Sequence, residues 1–235
     1  TTCQHIPIGH SILTTLGRVH PDMAASFSET VDNAKSAGAK YCNFAVRAAS
    51  ELNVVAQGNM QVLVESTDTH IPDMIDAFSF GHASRDPTKN KGIFNVFGVG
   101  IKAHLASLGD STQLIAITYS REKEAVQIGF LGSAIDEMLS RKESVNLSMF
   151  VISGKVVDSG GAEHVQIDWG EESRTLSYFR RVRRDSPWSH CDESDEKVIW
   201  RMCGDILEAR RRGEPRHTTF MYYTNDELPI SQEDG

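Results

Sequence analysis

The stretch Glu29-Thr30-Val31-Asp32-Asn33-Ala34 lies in a segment whose apolar residues recur at intervals of three and four positions. Those residues are Met23, Phe27, Val31 and Ala34. The spacing predicts an amphipathic helix from position 21 to position 37. Glu29 and Asn33 are four positions apart, so a carboxylate and a carboxamide project from the same side of that helix. A polar stripe on a surface helix has the same pattern, so the motif must be judged with its surroundings.

Outward from this helix, the chain alternates between short strand-like and helix-like segments. Apolar runs bounded by turn residues predict strands at 40–47, 60–65, 113–119, 125–130, 147–152 and 217–223. Helical periodicity or composition predicts helices at 72–80, 99–108, 133–140 and 195–212. Positions 158–194 have a weak pattern and are interpreted as an irregular insertion. The mixed order predicts one α/β domain over residues 1–235, a two-layer sandwich with helices on one face of a mixed, mostly antiparallel sheet.

A second motif with chemical meaning is the loop Phe94-Asn95-Val96-Phe97-Gly98-Val99-Gly100-Ile101-Lys102, which runs into the helix predicted at 99–108. Such a junction presents free backbone N–H groups and the positive end of the helix dipole, which together suit a phosphate chain. Gly98 and Gly100 permit close approach of the backbone, and Lys102 adds a positive charge. Many loops contain two glycines at this spacing, so the loop alone is uninformative.

In this order and at this separation, the two motifs resemble the N-box and the glycine-rich lid of the GHKL (Bergerat-fold) ATPases, most closely those of the MORC family. Ser79-Phe80-Gly81-His82-Ala83-Ser84 is similar to a phenylalanine-glycine-x-serine segment of MORC proteins. His217-Thr218-Thr219-Phe220-Met221-Tyr222 is similar to the glycine-threonine strand that closes the family's domain. The resemblance extends from about His20 to Tyr223.

The resemblance implies a role for each matching residue. Glu29 falls at the general base that activates the water attacking the γ-phosphate, and Asn33 falls at the Mg²⁺ ligand. The phosphates would be held by the lid residues Gly98, Val99, Gly100 and Lys102. Thr218 would line the adenine pocket. ATP and Mg²⁺ are the implied cofactors, and the implied protein is a nucleotide-linked homodimer that hydrolyses ATP slowly and serves chromatin or gene silencing in the nucleus.

The adenine-binding segment departs from the family pattern. Where the family has aspartate-x-glycine-x-glycine after a buried strand, this chain has Ser66-Thr67-Asp68-Thr69-His70. Ser66 replaces the aspartate that accepts from the adenine amino group, so a charge-assisted hydrogen bond, roughly twice as strong as a neutral one, is lost. Two hypotheses stay open. One is a slow ATPase, and the other is a catalytically inactive pseudo-ATPase that acts as a dimerisation or protein-interaction module in a chromatin or nucleic-acid complex.

Composition and charge bound the remaining classes. The chain of 235 residues has no apolar run near the roughly 20 residues needed to span a bilayer, so we expect a cytosolic or nuclear protein. A formal charge of −8 argues against a surface that binds nucleic acid throughout. Two basic clusters are interpreted as solvated surface, and a direct contact with nucleic acid is the less favoured alternative. They are Arg180, Arg181, Arg183 and Arg184, and Arg210, Arg211, Arg212 and Arg216.

Overall fold

The computed structural model describes residues 2–6, 23–48, 61–78, 104–105, 108, 112–132, 147–169, 172–184, 186–189 and 192–223. Eight strands lie in these ranges. They are β1 (Thr2–Ile6), β2 (Cys42–Ala48), β3 (Gln61–Thr67), β4 (Gln113–Ser120), β5 (Ala125–Gly132), β6 (Leu147–Ser159), β7 (Ala162–Asp168) and β8 (Thr218–Tyr223).

Five helices lie in the same described ranges. They are α1 (Met23–Ser36), α2 (Met74–Phe78), α3 (Glu172–Arg184), α4 (Asp195–Met202) and α5 (Gly204–Arg211). The start of α4 is capped by the Ser194 side chain, which accepts a hydrogen bond from the N–H of Lys197. None of the described helices is long and apolar enough to cross a membrane.

The strands form one antiparallel sheet in the order β1-β6-β5-β4-β8-β3-β2, and β7 pairs with the second half of β6. Strand β8 lies in the interior of this order, between β3 and β4. The predicted hairpin of the second and third strands is confirmed, with Cys42 opposite Thr67 and Ala48 opposite Gln61. The last strand of the described chain therefore joins the β2-β3 hairpin to the rest of the sheet.

Both faces of the sheet are covered by helices. Successive side chains of a strand point to opposite faces. The face that contacts α1, called the α1 face, buries Leu63, Leu114, Phe220 and Tyr222 together with Met74 of α2 and the partly buried Phe27 of α1. The opposite face, called the α4 face, buries Val64, Ile115 and Met221 together with Phe179 of α3, Val198 of α4 and Ile206 of α5.

The α/β class expected from the sequence is confirmed. The structure differs from the expected arrangement of helices on one face only, because α3, α4 and α5 form an additional layer on the α4 face. Strand residues such as Val64 and Ile115 are apolar and point to that second face, so that face also has to be covered. The layer expected from the sequence, which contains the helix with Asn33, is the one on the α1 face.

The interpretation of positions 158–194 as an irregular insertion is wrong. Strand β6 continues to Ser159, and Gly160 and Gly161 make the turn into β7 with φ values of 66° and 88°. Glycine adopts such positive φ values without a steric penalty. The segment then forms α3, which buries Phe179 and Val182. The apolar residues of α3 are few and stand among five arginines, so the polar composition of the segment hides an amphipathic helix.

Apart from the strand predicted at 147–152, which continues to Ser159, the other predicted elements within the described ranges are confirmed with small shifts at their ends. A second exception is the helix predicted at 195–212, which is two helices that meet at Cys203. The helix predicted at 133–140 and most of the one at 99–108 lie outside the described residues.

Candidate nucleotide site

Helix α1 packs on the sheet through aromatic contacts. The ring of Phe27 lies 4.8 Å from that of Phe44 on β2 and 5.7 Å from that of His104, measured between centroids. Further along the helix, Thr30 and Ala34 are buried. The positions three and seven residues after Phe27 lie on nearly the same side of a helix, so this side faces the sheet and Asn33 lies at its margin.

Asn33 has a buried oxygen without a hydrogen-bond partner. Its Oδ1 atom is shielded from solvent and finds no donor among the residues that the structure describes, and the hydroxyl of Thr30, on the preceding turn, is in the same state. A buried polar atom of this kind costs about 1–3 kcal/mol if nothing satisfies it. Neutral oxygens are ligands that a hard cation such as Mg²⁺ accepts. Glu29 lies in α1 one turn before Asn33, and its side chain lies outside the described residues.

Threonines line the adjoining end of the sheet on the α1 face. Thr67, Thr118 and Thr218 lie side by side on β3, β4 and β8. The Thr218 hydroxyl is 3.0 Å from that of Thr118 and donates to the carbonyl of Thr69 at 2.5 Å. Thr118 Oγ1 also accepts from the N–H of Ile71 at 2.8 Å. Thr218, expected to line an adenine pocket, is therefore buried on the α1 face and bonded to the loop after β3.

Ser66 lies on the other side of the sheet. It precedes Thr67 on β3 and pairs with Thr219 of β8, so its side chain points to the α4 face. Ser66 is buried there. The structure does not bring Ser66 and Thr218 together at one pocket, because the two side chains leave the sheet from opposite faces.

Asp68 stands at one of the two positions where the resembling family has glycine, and it helps to hold the loop after β3 in place. Asp68 Oδ1 accepts from the N–H of Lys40 at 2.9 Å and from that of Tyr41 at 3.5 Å. The N–H of Thr69 donates to Thr67 Oγ1 at 3.0 Å. The His70 side chain is exposed. The loop is thus fastened to the turn before β2 by side chains that a glycine-rich loop would lack.

The buried carboxylate on the α1 face belongs to Glu65, which the sequence analysis did not single out. Glu65 Oε1 lies 2.7 Å from His104 Nε2, and Oε2 accepts from the Tyr222 hydroxyl at 3.3 Å. Burial and the Glu65 carboxylate raise the pKa of Tyr222 well above its usual value. His104 follows the predicted lid residue Lys102 by two positions, so this cluster fixes the chain after the lid to the centre of the sheet.

The predicted lid residues Gly98, Val99, Gly100 and Lys102 lie outside the described residues, and their phosphate contacts stay predictions. Within the described ranges, no group of three or more His, Cys, Asp or Glu side chains is arranged to hold a metal ion. An Mg²⁺ ion held by one asparagine, phosphate oxygens and water needs no such group. Asn33 remains the described residue that fits the predicted Mg²⁺ site.

Six arginines of the two basic clusters form ion pairs within the chain. Arg180 Nε and Arg183 Nη1 each lie 2.7 Å from the Asp195 carboxylate. Arg210 Nη2 lies 2.9 Å from Glu124 Oε2. The other members of the second cluster also pair with carboxylates: Arg211 with Glu163, Arg212 with Glu208 and Glu214, and Arg216 with Asp205. These pairs favour a structural role for the clusters over a nucleic-acid contact.

Comparison with models of known protein families and with curated proteins finds no match.

Proposed function

We propose that this chain is a MORC-like GHKL domain that binds ATP with Mg²⁺, forms a homodimer linked to nucleotide binding, and hydrolyses ATP slowly. The buried Oδ1 of Asn33 supports this most directly, because it has no donor in the described part of the chain and lies on the helix that the motif order assigns to the metal. Coordination to Mg²⁺ would give this oxygen the partner that it lacks.

The proposed roles of the chain's residues follow from the resemblance to the GHKL family. Asn33 would hold Mg²⁺, which would neutralise charge on the phosphates. Glu29, one helical turn away, would accept a proton from the attacking water. The backbone of the glycine loop would hold the phosphates with Lys102, and Thr218 would lie near the base. The resemblance to MORC proteins extends the proposal to a nuclear role in gene silencing or chromatin organisation.

A second candidate function is a pseudo-ATPase that keeps the fold as a dimerisation or protein-interaction module. Two observations favour it. Ser66 points away from the face that contains Thr218, and the Thr218 hydroxyl is already bonded to Thr118 and to the Thr69 carbonyl. Specific recognition of adenine would then lack the side-chain acceptor that the family uses. The two candidates differ in whether nucleotide binds and turns over.

Isothermal titration with ATP and with a non-hydrolysable analogue, each with Mg²⁺ and with a chelator, tests the first candidate. We expect Mg²⁺-dependent binding that Asn33→Ala weakens by about tenfold, which corresponds to about 1.4 kcal/mol. Asp32→Ala is the matched control, because Asp32 is the exposed neighbour of Asn33 on the same helix. Its binding should equal that of the parent chain.

Phosphate release by the same proteins separates the two candidates further. Glu29→Ala should bind nucleotide like the parent chain and lose turnover. A chain that binds neither nucleotide at millimolar concentration is not an ATPase. If that chain still forms dimers by light scattering without nucleotide, the second candidate is supported.

A further inference from the structure

A cavity on the α4 face lies on the opposite side of the sheet from the proposed nucleotide site. It has a volume of about 410 Å³ and lies where α4 and α5 meet over β8. Its lining includes Trp188, Trp200, Met202, Gly204, Thr219 and Met221. Ligand pockets in proteins have volumes of about 300–1,000 Å³, so the cavity has room for a ligand of one or two rings.

Two lining residues have a buried polar atom without a partner. Trp188 is 1% exposed and Thr219 is 3% exposed. The indole Nε1 of Trp188 and the hydroxyl of Thr219 are shielded from solvent and have no hydrogen-bond partner in the described ranges. Buried polar groups are nearly always satisfied, and an indole N–H can only donate. A ligand that supplies an acceptor oxygen would explain why both groups are kept.

Trp188 is held in a fixed position by the turn that contains it. Its backbone N–H donates to Ser186 Oγ at 3.2 Å, and Ser186 Oγ donates to the Arg183 carbonyl at 2.7 Å. The backbone of Trp188 is therefore attached to the end of α3, and its indole is packed in the apolar core of the α4 face. A donor fixed in this way can recognise an acceptor without first losing conformational freedom.

Charged residues around the cavity are paired within the protein. Arg201 Nε lies 2.6 Å from Glu193 Oε2, and Asp205 Oδ2 lies 3.1 Å from Arg47 Nη1. The two other charged lining residues are also in ion pairs, Glu208 with Arg212 and Arg211 with Glu163. The cavity therefore has no excess of charge that would select an anion or a cation.

We propose that this cavity binds a small, neutral aromatic compound with a carbonyl oxygen, such as an aromatic amide. The carbonyl oxygen accepts from the Trp188 indole, and the Thr219 hydroxyl makes a second polar contact. The ring lies against the methionines Met202 and Met221 and the half-exposed indole of Trp200, which supply polarisable apolar surface.

Gly204 offers a way to close the cavity without removing any of its contacts. A Cβ at Gly204 would meet no atom within 4 Å, so a larger side chain has room there. Gly204 is the first residue of α5, where leucine or alanine has a higher helix propensity than glycine. Gly204→Leu should fill part of the cavity and keep the fold, and Gly204→Ala is the matched control.

The test is a titration of the ¹⁵N-labelled chain with benzamide, followed through its indole N–H resonances and without any nucleotide. Toluene lacks the carbonyl, and benzoate replaces the neutral amide with a charge. We expect the Trp188 resonance to shift saturably with benzamide in the millimolar range. Toluene and benzoate should bind at least about tenfold more weakly, which corresponds to about 1.4 kcal/mol.

The variants decide where the probe binds. Thr219→Val, which keeps the shape of the side chain, should weaken benzamide binding severalfold, and Gly204→Leu should abolish it while Gly204→Ala retains it. The proposal is overturned if benzamide leaves the Trp188 resonance unmoved, if toluene or benzoate binds as well as benzamide, or if Gly204→Leu binds like the parent. None of these results depends on whether the chain binds ATP.

Discussion

The two faces of the central sheet are built from the same strands but differ in what they bury. On the α1 face, the buried residues include Glu65, His104 and the hydroxyl groups of Thr118 and Thr218. On the α4 face, large apolar side chains from three helices and from the turn after α3 dominate: Phe179, Trp188, Ile199, Met202 and Leu207. The α1 face thus combines a small apolar cluster with several buried polar groups, and the α4 face provides the larger apolar core.

Because of this difference, the two faces are expected to contribute differently to the stability of the protein. Buried polar groups favour the folded state only when each has a hydrogen-bond partner. Even then they often contribute less to the free energy of unfolding than apolar side chains of the same size. The α1 face leaves the Asn33 oxygen without a partner in the described ranges. The same face also contains the buried cluster in which Glu65 Oε1 lies 2.7 Å from His104 Nε2. The sheet is held mainly by its α4 face. Each face nevertheless leaves buried polar atoms without a partner among the described residues, Asn33 Oδ1 on the α1 face and Trp188 Nε1 and Thr219 Oγ1 on the α4 face.

The largest effect should come from the buried polar cluster of the α1 face. Glu65→Leu removes the carboxylate from His104 and Tyr222, and we expect the free energy of unfolding to fall by about 3 kcal/mol. Urea unfolding followed by tryptophan fluorescence measures this loss. The double variant with His104→Leu should recover at least half of it, since both buried polar partners are then gone. A single variant as stable as the parent would contradict the role given to Glu65.

On the α4 face, the strongest polar contact should have a smaller effect. Asp195 is buried, and Asp195→Ala leaves the partly buried Arg183 without that carboxylate. We expect a loss of about 2 kcal/mol in the same unfolding experiment. Arg180→Ala is the control, because the Arg180 side chain is 63% exposed and its pair with Asp195 should contribute under about 1 kcal/mol. Equal losses for the two variants would show that burial does not decide the strength of these pairs.

Two buried threonines on opposite faces give a direct comparison. Thr118→Val removes the acceptor of the Ile71 N–H and the partner of Thr218, so a loss of about 1–2 kcal/mol is expected. Thr219→Val removes a hydroxyl that has no partner among the described residues, so stability should stay the same or rise. Thermal unfolding of both variants measures the difference. A destabilised Thr219→Val would mean that its hydroxyl is already satisfied within the chain.

The smallest effect concerns the thiols on the two faces. Burial and then the Glu65 carboxylate raise the pKa of Cys42 from 9.0 to about 11, and burial raises the pKa of Cys203 to about 12. Both thiols are therefore protonated in the folded chain at neutral pH. The contribution of each protonated thiol to stability is complete below pH 9, the usual pKa. It is lost as the pH rises to about 11 for Cys42 and to about 12 for Cys203.

Labelling with a disulfide reagent at pH 8, followed by mass spectrometry of the peptides, tests these values. A thiol with a pKa two units higher has about a hundredfold less thiolate, partly offset by a higher nucleophilicity of that thiolate, so Cys42 should react about tenfold more slowly than the unfolded chain. Cys203 should react more slowly still. A Cys42 that reacts as fast in the folded as in the unfolded chain would rule out the raised pKa.

Much of the fold could be predicted because several elements follow local rules. The recurrence of Met23, Phe27, Val31 and Ala34 at intervals of three and four positions predicts α1, and the apolar run from Val62 to Val64 predicts β3. The segment that forms α3 could not be recognised, since its stability depends on packing Phe179 and Val182 against strands that are distant in sequence. The second helical layer was therefore missing from the expected architecture.

The candidate site could be predicted only in part, for a related reason. A strand buried on both faces loses the alternation that shows which residues share a face, so the motif could not reveal that Ser66 and Thr218 point to opposite sides. Glu65 directly follows the apolar run of β3, and a charged residue at such a position was the available signal for the buried cluster of Glu65, His104 and Tyr222. Its partner His104 lies far along the chain, and no local pattern joins the two.

Strand β8 determines when a ribosome-bound chain can complete its sheet. The Thr218 hydroxyl bonds to a carbonyl 149 positions earlier in the chain, and β8 fills the gap between β3 and β4. Until residue 223 has emerged, the facing edges of β3 and β4 have no strand between them, and open edges of this kind readily pair with other chains. Molecules caught during synthesis or truncated before β8 should therefore depend on chaperones, however stable the finished protein is.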